Sequence, residues 1–312
     1  MNYYKVYDSI TDKIINLLEQ HSENNYQNEW FSFKKEPVAF NPLSDRAYTG
    51  INQFLLNMSA FHKGYFLNRW LTFKMVNDLK GSIDKGSKAT AIIFADRMYI
   101  DEKLQQNVTN FVKTMISAGK ANEINPNIKG IPFIKEYYVF NVSQVKGLPE
   151  QYYKKEETKD LTPVEKNEEA ERITANCGAS FLTQPQNRAF YNTGKDLIIL
   201  PEDKQFKDTE GYYTVLFHEL GHWTGNKTRL DRKLNGDKYD YAREELTAEL
   251  CAAFCCARLG MESKISNNAE YIKSWLQLLK DDRTAVVKAA AHAQKAADYI
   301  FSEATKLIEQ AA

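Results

Sequence analysis

The spacing of hydrophobic positions divides the first part of the chain into helices and strands. Apolar residues that recur every three or four positions indicate a helix with one buried side, whereas short runs of β-branched and aromatic residues favour a strand. By these criteria we predict helices at residues 3–20 and 50–62, a short helix capped by Thr72 and ending near Gly81, and strands at 90–94 and 133–142. The first 145 residues are therefore expected to mix both kinds of element.

The second part of the chain has mainly the helical spacing. A short apolar run at residues 197–200, stopped by Pro201, predicts one strand. The predicted helices are residues 212–224 with Gly225 at the end, residues 241–259, and two more that begin near 268 and 284. This part is expected to be mostly helical with a small sheet.

The charge pattern changes between these two parts. Residues 150–172 contain dense runs of Lys and Glu around Pro163, which is typical of a linker. A chain of 312 residues is also long for a single core. We therefore predict an α+β protein with a mixed α/β domain at 1–149, a linker at 150–172 and a mostly helical domain at 173–312.

Composition narrows the functional class only slightly. The chain is 43% hydrophobic and 26% charged with a formal net charge of zero, so no overall positive charge points to nucleic acid. Its start lacks the apolar core of a signal peptide, and no run of 18 apolar residues predicts a membrane span. The four cysteines lack the spacing of a disulfide framework. These features predict a cytoplasmic protein with no membrane partner.

Two of the five histidines belong to one motif, His218-Glu219-Leu220-Gly221-His222. Residues four apart on a helix lie on one face, about 6 Å apart at Cβ, so both imidazoles can bind one metal ion. Neither histidine falls on the core stripe predicted for this helix, which disfavours the alternative of two buried core histidines. That stripe consists of Tyr213, Leu216, Phe217 and Leu220. The pattern is typical of a Zn²⁺ hydrolase in which Glu219 is the general base.

The third metal ligand is predicted on the next helix, which contains Glu244, Glu245 and Glu249. Glu245 is the preferred ligand, and Glu249 is then placed to accept the second N–H of a ligand histidine. The alternatives are that Glu244 or Glu249 is the ligand, or that these are surface charges. Cys256 is more typical of a buried structural thiol.

Two other features bear on hydrolysis. If residues 197–200 form the edge of a sheet, they could hold an extended peptide by backbone pairing, and an ordinary core strand is the equal alternative. A peptidase also needs a hydrogen-bond donor for the oxyanion, and the sequence does not choose among the nearby tyrosines. These candidates are Tyr191, Tyr212, Tyr239 and Tyr241.

Aromatic residues are interleaved with basic and amide residues in the N-terminal part, at 30–35, 46–48 and 68–74. Such mixtures bind single-stranded nucleic acid, because bases stack on the rings and phosphates meet the cations. Without other information the pattern favours a plainer interpretation, in which the rings belong to the core and the lysines are exposed.

In these motifs and in several other stretches, the chain resembles the ArdC family of antirestriction proteins. The similar stretches are Tyr48–Asn52 with Leu55–Leu56, Trp70–Lys74, Tyr138–Val142, Phe217–Gly225, Glu244–Leu250 and Ala293–Tyr299. The resemblance implies an N-terminal single-stranded-DNA-binding domain and a C-terminal zincin-like metallopeptidase domain, in a protein of mobile elements that protects incoming DNA from restriction. The expected DNA contacts are Trp30, Arg46, Tyr48, Asn52, Arg69, Trp70 and Lys74. Residues 101–130 do not match the family pattern.

Three functions remain in competition. The first is a zinc peptidase that acts on an unidentified protein substrate and is joined to a DNA-binding module. The second is a DNA-binding protective protein whose metal site is structural. The third is a regulatory peptidase that cleaves one repressor, as the similar ImmA/IrrE-like zincins do.

Overall fold

A computed structural model describes residues 3–23, 38–154, 167–234, 236–263 and 269–311. Its helices are α1 Tyr3–Glu23, α2 Gly50–His62, α3 Phe73–Asp78, α4 Thr109–Ser117, α5 Glu168–Asn176, α6 Thr209–Thr224, α7 Lys238–Arg258, α8 Ala269–Asp281 and α9 Ala285–Ala311. Its strands are β1 Phe40–Asn41, β2 Arg46–Ala47, β3 Trp70–Thr72, β4 Ser82–Ile83, β5 Thr90–Asp101, β6 Gln106–Asn107, β7 Ile128–Asn141, β8 Val145–Lys146, β9 Ser180–Thr183, β10 Phe190–Asn192 and β11 Leu197–Leu200. The predicted α+β class is confirmed.

The N-terminal part is built on an antiparallel sheet with the strand order β3-β7-β5-β6. Strands β5 and β7 are longer than predicted and pair continuously from Thr90 opposite Val139 to Asp101 opposite Ile128. The strand predicted at 90–94 is shorter than β5 because Asp96 and Arg97 interrupt the apolar run. Backbone pairing with β7 continues past these two residues. Residues 101–130 contain β6, α4 and the start of β7.

The C-terminal sheet has the order β10-β11-β9, with β11 in the middle. Strand β11 pairs antiparallel with β10 and parallel with β9, so its backbone is engaged on both sides. Residues 197–200 are therefore a central strand, and the idea that they form an edge able to bind a peptide is wrong. Ile198, Ile199 and Leu200 are buried, as a central strand under a helical layer requires.

One hydrophobic cluster joins the two parts of the chain. It contains Ile14 from α1 and Met58 from α2 together with Leu278 from α8 and Ala290 from α9. Hydrogen bonds reinforce this packing: the backbone N–H of Gly50 donates to Gln294 Oε1 over 2.9 Å, and the Thr11 hydroxyl donates to the Arg283 carbonyl over 2.7 Å. The boundaries at 149 and 173 stay a prediction, and α5 begins inside the range predicted as linker.

No helix in the described parts of the chain is both long and apolar enough to cross a membrane. All four cysteines are free and buried. Cys251, Cys255 and Cys256 lie in α7, where they belong to the hydrophobic core. This placement agrees with the prediction that Cys256 is a structural thiol.

Candidate metal centre and nucleic-acid interface

Helix α6 presents the two motif histidines on one face. The helix begins after Asp208, whose side chain accepts a hydrogen bond from the Gly211 N–H over 2.8 Å, and it ends at Gly225. All four residues of the predicted core stripe are buried, whereas His218 and His222 keep part of their side chains exposed. The two histidines therefore lie outside the buried core stripe, in agreement with the helical spacing of the sequence.

Glu245 from α7 faces both histidines. The Nε2 atoms of His218 and His222 are 3.1 Å apart, and the Glu245 carboxylate oxygens lie 3.5 Å and 3.6 Å from them, respectively. Tetrahedral ligands bound to zinc at about 2.0–2.1 Å are separated by roughly 3.3 Å from one another. The three side chains therefore fit one divalent metal ion, and their two nitrogens and one carboxylate suit Zn²⁺ or Mn²⁺.

Each histidine has its own carboxylate on the Nδ1 side. Glu249 Oε1 lies 3.7 Å from His218 Nδ1, which is an ion-pair distance, and Glu244 Oε1 lies 3.2 Å from His222 Nδ1, within hydrogen-bonding reach. Such partners fix the ring orientation and leave Nε2 free to bind metal. Glu244 thus occupies the supporting position for one histidine and Glu249 for the other, a division of roles that the sequence did not predict for Glu244.

Arg232 holds Glu244 in place. Its guanidinium donates to both Glu244 oxygens over 3.0 and 2.8 Å, to Thr224 Oγ1 over 2.9 Å and to the Gly221 carbonyl over 2.6 Å. Both charged side chains are almost fully buried, with 6% and 5% exposure. Sequence reasoning missed Arg232 because it lies in a loop after α6, where no periodicity marks it.

The carboxylates make the centre strongly electronegative. Burial alone would lower the pKa of His218, but the charges of Glu249 and Glu245 hold that pKa well above its ordinary value. Burial would likewise raise the pKa of Glu245, yet its contacts with His218 and His222 lower it overall. Glu219 is buried beside the histidines and adds its charge to this set. The combined field favours a bound cation.

Among the four candidate tyrosines, Tyr241 contacts the predicted metal ligand Glu245. Its hydroxyl forms a hydrogen bond with the Glu245 carboxylate, and 49% of the residue is exposed. The Tyr191 hydroxyl contacts Asp196, Asn226 and Arg229 instead, and the Tyr239 hydroxyl donates to Asp281. Tyr212 packs against Phe206 and Tyr213.

Helices α6 and α7 are in close contact at Gly221, within the motif. A Cβ atom there would lie 3.1 Å from Ala248 Cα and 3.3 Å from Cys251 Cβ, closer than most side-chain contacts. We expect Gly221→Val to destabilise the fold by about 1–3 kcal/mol, because the branched side chain overpacks this contact. Urea unfolding measures the effect, and Ala291→Val on the exposed side of α9 is the control, with an expected cost below about 0.7 kcal/mol. Equal losses would contradict a close helix contact.

The buried ion pair predicts a second stability effect. Arg232→Met removes the cation but leaves the Glu244 charge buried, and we expect this to cost about 3–5 kcal/mol in the free energy of unfolding. The exposed pair formed by Arg172 and Glu169 provides the matched control, since Arg172→Met should cost less than about 1 kcal/mol. Urea unfolding of both metal-free variants makes the comparison. A similar small cost at both sites would show that Arg232 does not stabilise the centre.

Three of the predicted DNA contacts have side chains that are engaged within the fold. Trp70 is fully buried and donates through Nε1 to Asn68 Oδ1, so its ring cannot stack on a base. The Asn52 side chain pairs with the backbone N–H and carbonyl of Ile93, and buried Arg69 donates to two backbone carbonyls. Burial of Trp70 and Arg69 disfavours direct DNA contact by those two residues, whereas Asn52 is half-buried and its DNA contact stays a prediction. The aromatic–polar pattern of the sequence selected these residues because it does not distinguish buried rings from exposed ones.

The remaining predicted DNA contacts differ in accessibility. Arg46 and Lys74 are exposed, while Tyr48 is half-buried and its hydroxyl lies 3.5 Å from the Trp70 carbonyl oxygen. Burial raises the pKa of Tyr48, so its phenol stays neutral at physiological pH. Trp30 lies outside the described residues.

Comparisons with known proteins agree with this architecture. Residues 4–140 match the family described as the N-terminal domain of anti-restriction factor ArdC, and residues 168–292 match the family described as a zincin-like metallopeptidase. The crystal structure of the antirestriction ArdC protein from plasmid R388 in its metal-free form has a TM-score of 0.77 and 34% identity, covering 96% of this chain and 98% of that one. Its Mn(II)-bound structure has a TM-score of 0.72 with 34% identity, covering 96% and 97%.

Relatives in bacteria extend the comparison. The y4eC protein of Sinorhizobium fredii is 31% identical over 96% of this chain and 92% of its own length. Two Escherichia coli proteins named DNA primase TraC are 32% and 30% identical over 88% of this chain, which spans only 18% and 25% of their lengths. The fold and the metal centre define a protein with a zincin-like domain. The chain belongs to the ArdC family of antirestriction proteins.

Proposed function

We propose that this protein is a zinc-dependent peptidase joined to a single-stranded-DNA-binding module, and that it protects incoming mobile-element DNA from restriction. The observation that carries the peptidase half is the convergence of His218, His222 and Glu245 with Glu219 one position along the same helix. The partly exposed histidines favour a catalytic centre over a structural metal site, which is usually closed off by protein ligands.

In this proposal His218, His222 and Glu245 hold Zn²⁺, with Glu249 and Glu244 orienting the two imidazoles. A bound Zn²⁺ would polarise the scissile carbonyl and acidify water. Glu219 accepts a proton from the attacking water and passes it to the leaving amine, as a general base and then a general acid. Tyr241 is the proposed oxyanion donor: it is 49% exposed, and its hydroxyl would turn from the Glu245 carboxylate, its partner in this structure, to the oxyanion.

The peptidase proposal is tested by incubating the purified full chain, loaded with Zn²⁺, with a lysate of host cells. Mass spectrometry of new protein N-termini is the readout, and the chelated protein is the control. Metal-dependent new termini support the proposal, and a single cleaved regulator would identify a regulatory peptidase. An unchanged set of termini in the presence and absence of metal, across lysates with and without added single-stranded DNA, would count against it.

The DNA half of the proposal is supported by the matched ArdC N-terminal family and by the exposed cations at Arg46 and Lys74. A labelled single strand should bind with an affinity that falls steeply as salt rises, because phosphate contacts release counterions. Fluorescence anisotropy over a salt series measures this. Equal affinity for duplex DNA, or an affinity that ignores salt, would contradict single-strand binding.

A further inference from the structure

An exposed group of aromatic rings lies on the N-terminal sheet and contains none of the residues named so far as DNA contacts. It consists of Phe94 on β5 and Phe133 and Tyr137 on β7, with Lys135 between the last two; we call these four residues the aromatic patch. Phe94 and Tyr137 are 46% and 44% exposed. The Phe94 ring centroid lies 6.0 Å from that of Phe133 and 6.1 Å from that of Tyr137.

The strand register explains why these side chains share one face. Phe94 lies directly opposite Lys135, and Phe133 and Tyr137 are its diagonal neighbours two positions to either side. Side chains that lie opposite each other, and those two positions along a strand, point to the same face of a sheet. The alternate residues Ile93 and Ile134 point the other way and are buried in the main core. The patch is therefore an exposed part of one face of the sheet, and the opposite face is packed against the main core at this point.

The patch adjoins the region that resembles the DNA-binding motifs of the family. Ile92 is opposite Tyr137 and so lies on the face of the patch. It belongs to a small buried cluster with Trp70 and Val139, against which Tyr48 packs. The patch therefore continues, on the same face of the sheet, into the buried cluster that contains Trp70 and against which Tyr48 packs.

The charges around the patch suit a polyanion. Lys135 Nζ lies 5.4 Å from the centroid of the Phe133 ring, so a cation stands beside the exposed rings. Asp96, on the same face of β5, is neutralised by an ion pair with Lys113. Glu136 projects to the opposite face, where Ser9 donates to it and Lys13 lies 3.5 Å away. A phosphate chain over the patch would meet the Lys135 cation, while the carboxylates of Asp96 and Glu136 already face the cations of Lys113 and Lys13.

We propose that the aromatic patch is the platform on which bases of single-stranded DNA stack, with Lys135 contacting the backbone. Exposed rings beside a cation are the arrangement that binds single strands with little sequence preference, since every base has a flat face to stack. Duplex DNA hides those faces and would bind weakly. The inference rests on the proposed single-strand binding and assigns it to a surface.

The test compares the full-length double variant Phe94→Ala/Tyr137→Ala with Tyr138→Ala. Tyr138 is a matched control because it neighbours Tyr137, is 54% exposed and bonds Glu136 on the opposite face. With a labelled oligothymidylate of about 12 nucleotides, we expect the double variant to bind at least about tenfold more weakly and the control to bind as wild type does. Lys135→Gln should lower the salt slope by about one, while Lys13→Gln on the other face leaves it unchanged. Circular dichroism checks that each variant is folded.

The outcomes separate this inference from the proposed function. If wild type does not bind the oligonucleotide, single-strand binding itself fails. If wild type binds and the folded double variant binds equally well, the platform is elsewhere and the inference is overturned. Should the double variant keep its DNA affinity but change from dimer to monomer in sedimentation, the patch is an interface between copies of the chain. If the double variant loses binding because it is unfolded, Phe94→Trp replaces it in the test. This variant keeps an aromatic ring at position 94 and must retain binding if stacking is the cause.

Discussion

Glu219→Gln is expected to reduce the release of new protein N-termini about a thousandfold while leaving the metal content unchanged. The amide keeps the size of the side chain but cannot accept the proton of the attacking water, and positioned general bases typically contribute about 10²–10⁴-fold to rate. The readout is the mass-spectrometric detection of cleaved peptides over time, together with metal analysis of the purified variant. Glu210→Gln, in the first turn of the same helix, is the control and should cleave as wild type does.

The same variant separates two roles of the protein. If plasmid entry into a restricting host is still protected by Glu219→Gln, antirestriction needs the DNA-binding half and not hydrolysis. If protection disappears together with cleavage, the peptidase is part of the antirestriction mechanism. Undiminished cleavage by Glu219→Gln would refute the assignment of Glu219 as the base.

Glu245→Ala is expected to weaken metal binding more than about 100-fold, beyond the roughly 10- to 100-fold loss typical of residues that only support a ligand. Removing the carboxylate leaves two imidazole nitrogens, which hold a divalent ion poorly without a third protein ligand. Competition with a coloured chelator measures the affinity for Zn²⁺ and for Mn²⁺. Glu249→Gln and Glu244→Gln are the comparison variants and should fall within the smaller range.

This comparison also decides between the ligand assignments that the sequence left open. If Glu249→Gln weakens metal binding more than Glu245→Ala does, Glu249 is the ligand and Glu245 the supporting residue. A greater loss in Glu244→Gln would do the same for Glu244, although its contacts with Arg232 and His222 Nδ1 place it on the far side of the imidazole. Glu303→Ala, at an ion pair on α9, should leave metal affinity unchanged.

The local sequence was sufficient to predict the elements that carry the metal centre. The helical spacing of Tyr213, Leu216 and Phe217 determines which side of α6 is buried, and therefore which side presents His218 and His222. The four-residue interval between Glu245 and Glu249 likewise places both on one face of α7. Such features depend on residues within one or two turns, so a single sequence reveals them.

What only the tertiary structure decided depends on contacts between distant residues. Pairing with β9 and β10 makes β11 a central strand, and packing against Leu56 and Val139 buries Trp70 although its neighbours resemble a DNA-binding motif. Arg232 reaches Glu244 across a loop, and Phe94 meets Tyr137 only through strand pairing. Hydrophobic periodicity specifies that a face is apolar, but whether that face is covered depends on which other element packs against it, and no local pattern contains that information.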